Sequence, residues 1–365
     1  MSDLAKYDYD LPHELIAQEP LRRRPDARLM VVDRAAQTIE RSHVRDLPSL
    51  LRPGDCLVLN DTRVVPARVV GYRQQTGGRW EGLFLAADTG GVWRLLGKTR
   101  GKLRPGEIIR LTDVEGRDAL GLQLLDQEPT GAWLARPRAD DLQRLGGDSE
   151  QAQRARQGDA LAILELFGRV PLPHYIRGGQ MTESDRERYQ TVYASHPGSA
   201  AAPTAGLHFT IELLEQLAAA GIGAERVTLH VGLDTFRPIG VERLEEHRMH
   251  SEWAQLTGDV AERLREVRSG GRRVVAVGTT SARVLETAAR SGQISPWEGA
   301  TDLFIRPPFA FHAVDALLTN FHLPRSTLLV LVRTFGGDAL LRRAYRIAIE
   351  EEYRFYSYGD AMLIL

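Results

Sequence analysis

Six short apolar runs, at 69–72, 79–86, 92–96, 107–111, 119–125 and 132–136, set the tightest limit on what this chain can become. Glycine, proline and aspartate cluster between them, as in Thr76-Gly77-Gly78, Asp88-Thr89-Gly90-Gly91, Arg104-Pro105-Gly106 and Glu115-Gly116. No stretch from Pro66 to Gln151 carries a helical period. Short strands at regular spacing, punctuated by turn residues, predict a small antiparallel barrel.

The flanking sequence has a different texture. Asp10 ahead of LPHELIAQ, with Pro12 near the first turn, predicts a helix. RLMVVD (28–33) and CLVLN (56–60) read as strands, with a short helix over 46–51 and the turn Arg52-Pro53-Gly54-Asp55 between them. Beyond 157, helices are expected over 160–167, 184–194, 211–220, 259–268, 282–290 and 338–352. Thr210 starts the third of these and Gly221 ends it. Strands are expected over 226–231 and 273–277, and 328–335 is apolar. Such alternation predicts a mostly parallel or mixed sheet. The fold class is therefore α/β: a larger mixed-sheet domain from 1–65 plus 152–365, with 66–151 inserted as a small antiparallel β-barrel domain.

Length and composition remove whole classes. A chain of 365 residues has room for two or three domains, and its 43% hydrophobic and 26% charged residues exclude wholesale disorder. The lone Cys56 excludes an intrachain disulfide and a thiolate zinc cage, and fits a cytosolic protein. No apolar run approaches the ~20 residues of a bilayer span. The stretch MSDLAKYDYDLPHELIAQEP has no signal-peptide core, so a soluble cytoplasmic protein is expected. A net charge of −1 argues against attachment to nucleic acid over the whole surface, though not against a local basic face. Only three of the 47 cations are lysines; arginine forks suit phosphates and carboxylates, but codon bias gives the same composition.

Candidate chemistry gathers in the second half. Eight of the ten histidines lie between 174 and 322. His208, in PTAGLHF, His230, in TLHVG, and His322, in TNFHLP, each follow an apolar run in a loop bracketed by small or rigid residues. Histidines at strand ends serve as acid, base or donor near neutral pH, or stand as hydrogen-bonded structural groups. Gly278-Thr279-Thr280-Ser281-Ala282-Arg283 turns a strand into a helix, where unpaired amides favour a carboxylate or phosphate. Ordinary capping by Thr280 or Ser281 is the plainer reading. Neither a Walker spacing nor a strand-borne GxGxxG is present, which leaves a dehydrogenase or Rossmann methyltransferase unsupported. Asn60-Asp61-Thr62-Arg63 suits a polar ligand, or a turn with an Asp–Arg pair. His247, His250 and Glu252 invite a metal reading, but H-x-x-H without HExxH is weak. Arg22-Arg23-Arg24 fits phosphate contact or a solvated face.

Nine segments then resemble one family in order. They are YDYDLPHELIAQEP (7–20), GDCLVLNDTRVVPAR (54–68), RYQTVYA (188–194), AAPTAGLHFT (201–210), VTLHVG (227–232), HRMHSE (247–252), VAVGTTSARVLE (275–286), TNFHLPRSTLLVLV (319–332) and YRFYSYGDAM (353–362). The chain resembles the S-adenosylmethionine:tRNA ribosyltransferase-isomerase family of queuosine biosynthesis nearly end to end.

That resemblance implies an α/β domain with a smaller β-barrel. It implies transfer and isomerisation of the ribosyl part of S-adenosylmethionine onto 7-aminomethyl-7-deazaguanine at the tRNA wobble position, giving epoxyqueuosine, adenine and methionine. No metal and no cofactor beyond the co-substrate is implied. Within the matched segments, His208, His230 and His322 are the catalytic candidates. Thr279, Thr280, Ser281, Arg283, Asn320, Asn60, Asp61 and Arg63 are the substrate-binding candidates, and Arg22, Arg23, Arg24 and Arg177 those for tRNA. The family usually has glycine where Asp234 stands in VGLDTF (231–236), so that loop's role is open. The competing readings are a non-catalytic RNA-binding protein and a histidine-site metal-dependent hydrolase.

Overall fold

The computed structural model describes residues 3–232 and 239–365. They form two compact units: residues up to 63 with 173–180 and 187–365, and residues 64–172 with 181–186. Asp234 lies outside the described residues.

The first unit is built on a nine-stranded mixed sheet. Gly223–Leu229, Cys56–Asn60, Val274–Val277 and Ala316–Asn320 run parallel at its centre, in that spatial order. Glu252–Leu256 and Trp297–Thr301 extend one side antiparallel. Ala361–Ile364, Arg28–Asp33 and Thr38–His43 extend the other. Both faces are covered, which is why the central strands are continuously apolar rather than alternating. Val58, Val274, Ala276 and Leu317 point into one core, beneath helices that include Gly258–Ser269, Thr279–Ala288 and Thr327–Gly336. Leu57, Leu59, Val275, Val277 and Leu318 point into the other, against Leu213 and Leu217 of Ile211–Ala219. Thr210 caps that last helix as expected, its Oγ1 accepting from Leu213 N at 3.2 Å. Cys56 is a core thiol whose pKa burial pushes up to about 12.

The second unit is a closed six-stranded antiparallel barrel. Its strands are Arg68–Arg73, Arg79–Ala87, Trp93–Thr99, Ile108–Thr112, Asp118–Gln127 and Trp133–Pro137, each over one of the predicted apolar runs. Trp80, Trp93, Leu95, Ile109, Leu122 and Trp133 fill it. The unit runs past the expected boundary at 151, because Ala155, Ile163, Leu164 and Phe167 of Glu150–Arg156 and Ala160–Phe167 join the barrel core.

Three local expectations differ from the structure. The stretch after Asp10 forms only the short 3-10 turn His13–Leu15, since Leu15 O and Ala17 N pair with Phe355 N and O. The helix expected over 184–194 shrinks to Asp185–Arg188. There Arg24 takes the carbonyls of Glu187, Arg188 and Gln190, acceptors that a continuing helix would use. The helix expected from 282 begins at Thr279, so Thr279, Thr280 and Ser281 form its first turn. Among the described residues, no helix is long and apolar enough to cross a membrane.

Candidate active site

The four central parallel strands end together, and the chain leaves them at Asn60, Leu229, Val277 and Asn320. Open α/β sheets bind ligands beyond the carboxyl ends of such strands. The segments that carry Asp61, His230, Thr279 to Ser281 and His322 therefore leave the sheet from one edge, although the sequence spreads them over 260 positions.

His208 arrives there from a separate 3-10 turn, Thr204–His208. Asn320 Nδ2 donates to His208 Nε2 at 3.2 Å, while Asn320 Oδ1 accepts from Thr204 Oγ1 at 2.9 Å. Burial, with Arg24 and Arg354 adding repulsion, lowers the His208 pKa to about 4, so its ring is neutral. His322 is held from behind. Its N–H donates to the Tyr345 hydroxyl at 3.1 Å, its carbonyl accepts from the Tyr9 hydroxyl, and its Nε2 lies 3.3 Å from Thr319 Oγ1. Burial lowers its pKa to about 3.

His230 sits in a more polar corner. Its Nδ1 lies 2.8 Å from Thr62 Oγ1, and its ring stacks on Trp253 with centroids 5.0 Å apart. Burial and nearby His196 lower its pKa, and Asp61 opposes them. Asp61 is itself buried. It accepts from Thr228 Oγ1 at 2.8 Å and from Ser195 Oγ at 3.0 Å, and its Oδ2 lies 3.0 Å from His196 Nδ1. The His196 side chain is 58% exposed, so this contact orients an accessible imidazole. Asn60 is structural: its amide donates to Leu229 O and accepts from Leu229 N and Thr62 N, stapling two strand ends.

Thr279–Ala288 opens at Gly278, whose φ of +90° is a glycine conformation, with no side chain capping the first amides. Ser281 Oγ bonds back to Val277 O at 2.9 Å. Thr280 Oγ1 is buried and makes no hydrogen bond among the described residues. A small cavity opens onto Gly278, Thr279 and Thr280. An uncapped helix start with a spare hydroxyl suits a carboxylate. A second cavity adjoins the first, and the two share Thr204, Asn320, His322 and Leu328.

Other predicted residues are placed elsewhere. Arg283 lies fully buried and ion-paired with Glu252, with Leu303 O and Thr301 O as further acceptors. Glu252 in turn accepts from Gly232 N at 2.8 Å. Arg283 thus braces the edge of the site, and its guanidinium faces protein rather than either cavity. The pairing also draws Glu252 away from a metal set, and His247 packs edge-on against Phe304. Arg63 is exposed on Thr62–Val64. Arg22 and Arg23 are exposed, Arg24 is tied to backbone carbonyls, and Arg177 bonds to Gln18 O and Gln180 O. Sequence reasoning passed over His196, Tyr345 and Tyr9. Their partners lie 135, 23 and 313 positions away, and no local pattern marks them.

A family model described as Queuosine biosynthesis protein matches residues 4–364. The chain belongs to this family. It is 50% identical to the S-adenosylmethionine:tRNA ribosyltransferase-isomerase of Symbiobacterium thermophilum, with 99% of each chain covered. The protein of that name from Acetivibrio thermocellus is 45% identical, with 99% of each chain covered. The crystal structure of S-adenosylmethionine tRNA ribosyltransferase from Thermotoga maritima superposes with a TM-score of 0.54 at 35% identity, covering 99% of this chain and 100% of that one. The queuosine family read from the nine motif segments and the α/β-plus-barrel fold class both stand.

Proposed function

We propose that this protein is a cytoplasmic S-adenosylmethionine:tRNA ribosyltransferase-isomerase, the activity its relatives are named for. It moves the ribosyl part of S-adenosylmethionine onto 7-aminomethyl-7-deazaguanine at the tRNA wobble position and releases adenine and methionine. It needs no cofactor beyond that co-substrate.

The observation that carries the assignment of roles is the sheet edge itself, where neutral imidazoles stand beside an uncapped helix start. The sulfonium acidifies the neighbouring C5′ hydrogen, so a base must take a proton there. Departing adenine needs a proton at nitrogen. His230 is the ring with an opposing carboxylate nearby, and it takes the base role. Neutral His322 offers the leaving nitrogen only a ring N–H hydrogen bond, and the proton that departing adenine acquires is the one His230 has taken from C5′. His208, its Nε2 occupied by the Asn320 amide, offers its Nδ1–H as a hydrogen-bond donor to the reacting groups. The amides of Thr279 to Ser281 and the free Thr280 hydroxyl hold the methionine carboxylate. Burial at this edge keeps water from the reacting atoms. Arg22, Arg23 and Arg177 contact anticodon-loop phosphates while the wobble base turns into the site.

The test is direct. Purified protein is incubated with S-adenosylmethionine and tRNA carrying 7-aminomethyl-7-deazaguanine. Adenine release matched one-for-one by modified base is expected. Neither product appearing would remove the assignment. Near wild-type turnover in both His208→Gln and His230→Gln would remove these two residues from it.

A further inference from the structure

We infer that the barrel carries an RNA-phosphate face, built on the segment 98–104, which grips the tRNA backbone. The inference rests on the functional reading above and adds a surface of the second unit that holds the macromolecular substrate.

Between Asp88 and Glu107 the chain carries Arg94, Lys98, Arg100, Lys102 and Arg104 and no carboxylate. Lys98, Arg100, Lys102 and Arg104 fall on every second position, and all four are exposed. Leu103, between the last two, is buried in the barrel core and pins the loop. Arg73 fastens the loop a second time. Its guanidinium donates to Arg100 O at 3.5 Å and to Lys102 O at 3.2 Å, while Glu107 balances its charge. Exposed Arg79 stands beside them, its carbonyl accepting from Thr99 Oγ1 at 2.7 Å. The carboxylates around the segment are engaged elsewhere. Glu81 lies opposite Lys98 in the strand pair, but it accepts from Arg68 at 2.7 and 3.1 Å. Glu128 is taken by Arg94. Lys98, Arg100, Lys102, Arg104 and Arg79 make no ion pair among the described residues.

Surface cations can serve solubility alone, or guard a sheet edge against pairing. This barrel is closed and has no edge to guard, and solubility is served by interspersed signs rather than by cations of one sign together. With a net charge of −1, a polyanion is drawn only to places where cations gather. Arg22 to Arg24 gather less, since Arg23 has Asp26 at 3.8 Å and Arg24 is spent on backbone carbonyls. Guanidinium forks and ammonium groups on a loop already held in place suit a row of phosphates, and they read no base.

The test uses the full chain and end-labelled tRNA, titrated across a salt series. Lys98→Gln, Arg100→Gln and Lys102→Gln combined should weaken tRNA binding roughly tenfold or more at low salt. The slope of log affinity on log salt should become shallower by about two to three units. KM for tRNA should rise in step, and S-adenosylmethionine affinity should hold. Lys98→Arg with Lys102→Arg keeps the charge and should bind tRNA as wild type does. If the combined variant does not fold, Lys102→Gln alone should still lower the slope by about one unit. An unchanged slope in the folded variant overturns the face, as does an equal loss of S-adenosylmethionine affinity. Weakened polyglutamate binding with tRNA binding intact would give the face to an acidic protein, and overturns it too. Wild-type protein that releases adenine in the presence of tRNA, while the combined variant keeps its slope, leaves the function standing and sinks only the face. Wild-type protein whose tRNA binding shifts as expected but which releases no adenine sinks the function and leaves the face.

Discussion

Asn320 joins His208 to the end of a parallel strand across 112 positions of sequence, donating from Nδ2 to the imidazole Nε2 at 3.2 Å. Its own carbonyl oxygen is occupied by Thr204 Oγ1. One amide thus sets where the ring sits and leaves the proton of the neutral imidazole on Nδ1. Asn320→Ala should lower kcat about a hundredfold with little change in KM, since small misplacements of reacting groups cost that much. Steady-state kinetics of adenine release checks it. An unchanged kcat would show that His208 needs no orienting partner.

Acid should unfold this protein through its buried histidines. His208 and His322 titrate near 4 and 3 in the folded chain, against 6.5 for the ordinary group. Between about pH 6.5 and pH 4 the unfolded chain therefore binds more protons. Stability rises with pH across that window and falls on acidification, by roughly 1.4 kcal/mol per pH unit for each ring. Urea midpoints measured from pH 7 to pH 4.5 give the slope. His208→Gln should remove about half of this contribution.

Gly198 controls the room around His230. A Cβ at 198 would lie 2.7 Å from the His230 Nε2, and the φ of +153° there is already unusual for other residues. Gly198→Ala should push the imidazole off Thr62 and cut turnover at least tenfold, with a cost in stability of about 1–3 kcal/mol. A crystal structure of the variant, paired with its kinetics, distinguishes a displaced ring from general unfolding.

Arg283 and Glu252 form an ion pair in which each side chain is almost fully buried. Arg283→Ala leaves an uncompensated buried carboxylate and should cost about 3–5 kcal/mol. Arg283→Met combined with Glu252→Leu should recover most of that. S-adenosylmethionine affinity of the folded fraction should stay within twofold of wild type. A large loss of affinity at full stability would return Arg283 to the ligand.

Phosphate contacts should reveal themselves through salt. With a net charge of −1, attraction to tRNA must be local. Log affinity should fall linearly with log salt, and Arg23→Ala should make that slope shallower by about one unit if Arg23 meets a phosphate. Titrations from 50 to 300 mM salt measure it, and an identical slope would remove Arg23 from the interface.

Much of the architecture was legible because its signals are local. Turn clusters between short apolar runs mark the barrel strand by strand, and the apolar runs at 56–60 and 274–277 mark buried parallel strands. The helix boundaries that failed did so where distant groups captured backbone polar atoms. Phe355 displaced a helix after Asp10, and Arg24 shortened the one after Ser184. Local propensity is worth tenths of a kcal/mol per residue and yields to such pairing.

By itself, the sequence determined the family, the fold class and the segments that bear chemistry, because motif order and hydrophobic period are written along the chain. Tertiary structure alone decided which of those residues meet. It turned Arg283 from a ligand candidate into a brace, gave Asp61 to His196 and set Tyr345 behind His322. Hydrogen-bond partnership and desolvation depend on distances of a few ångströms between residues far apart in the chain, and only the folded geometry sets those.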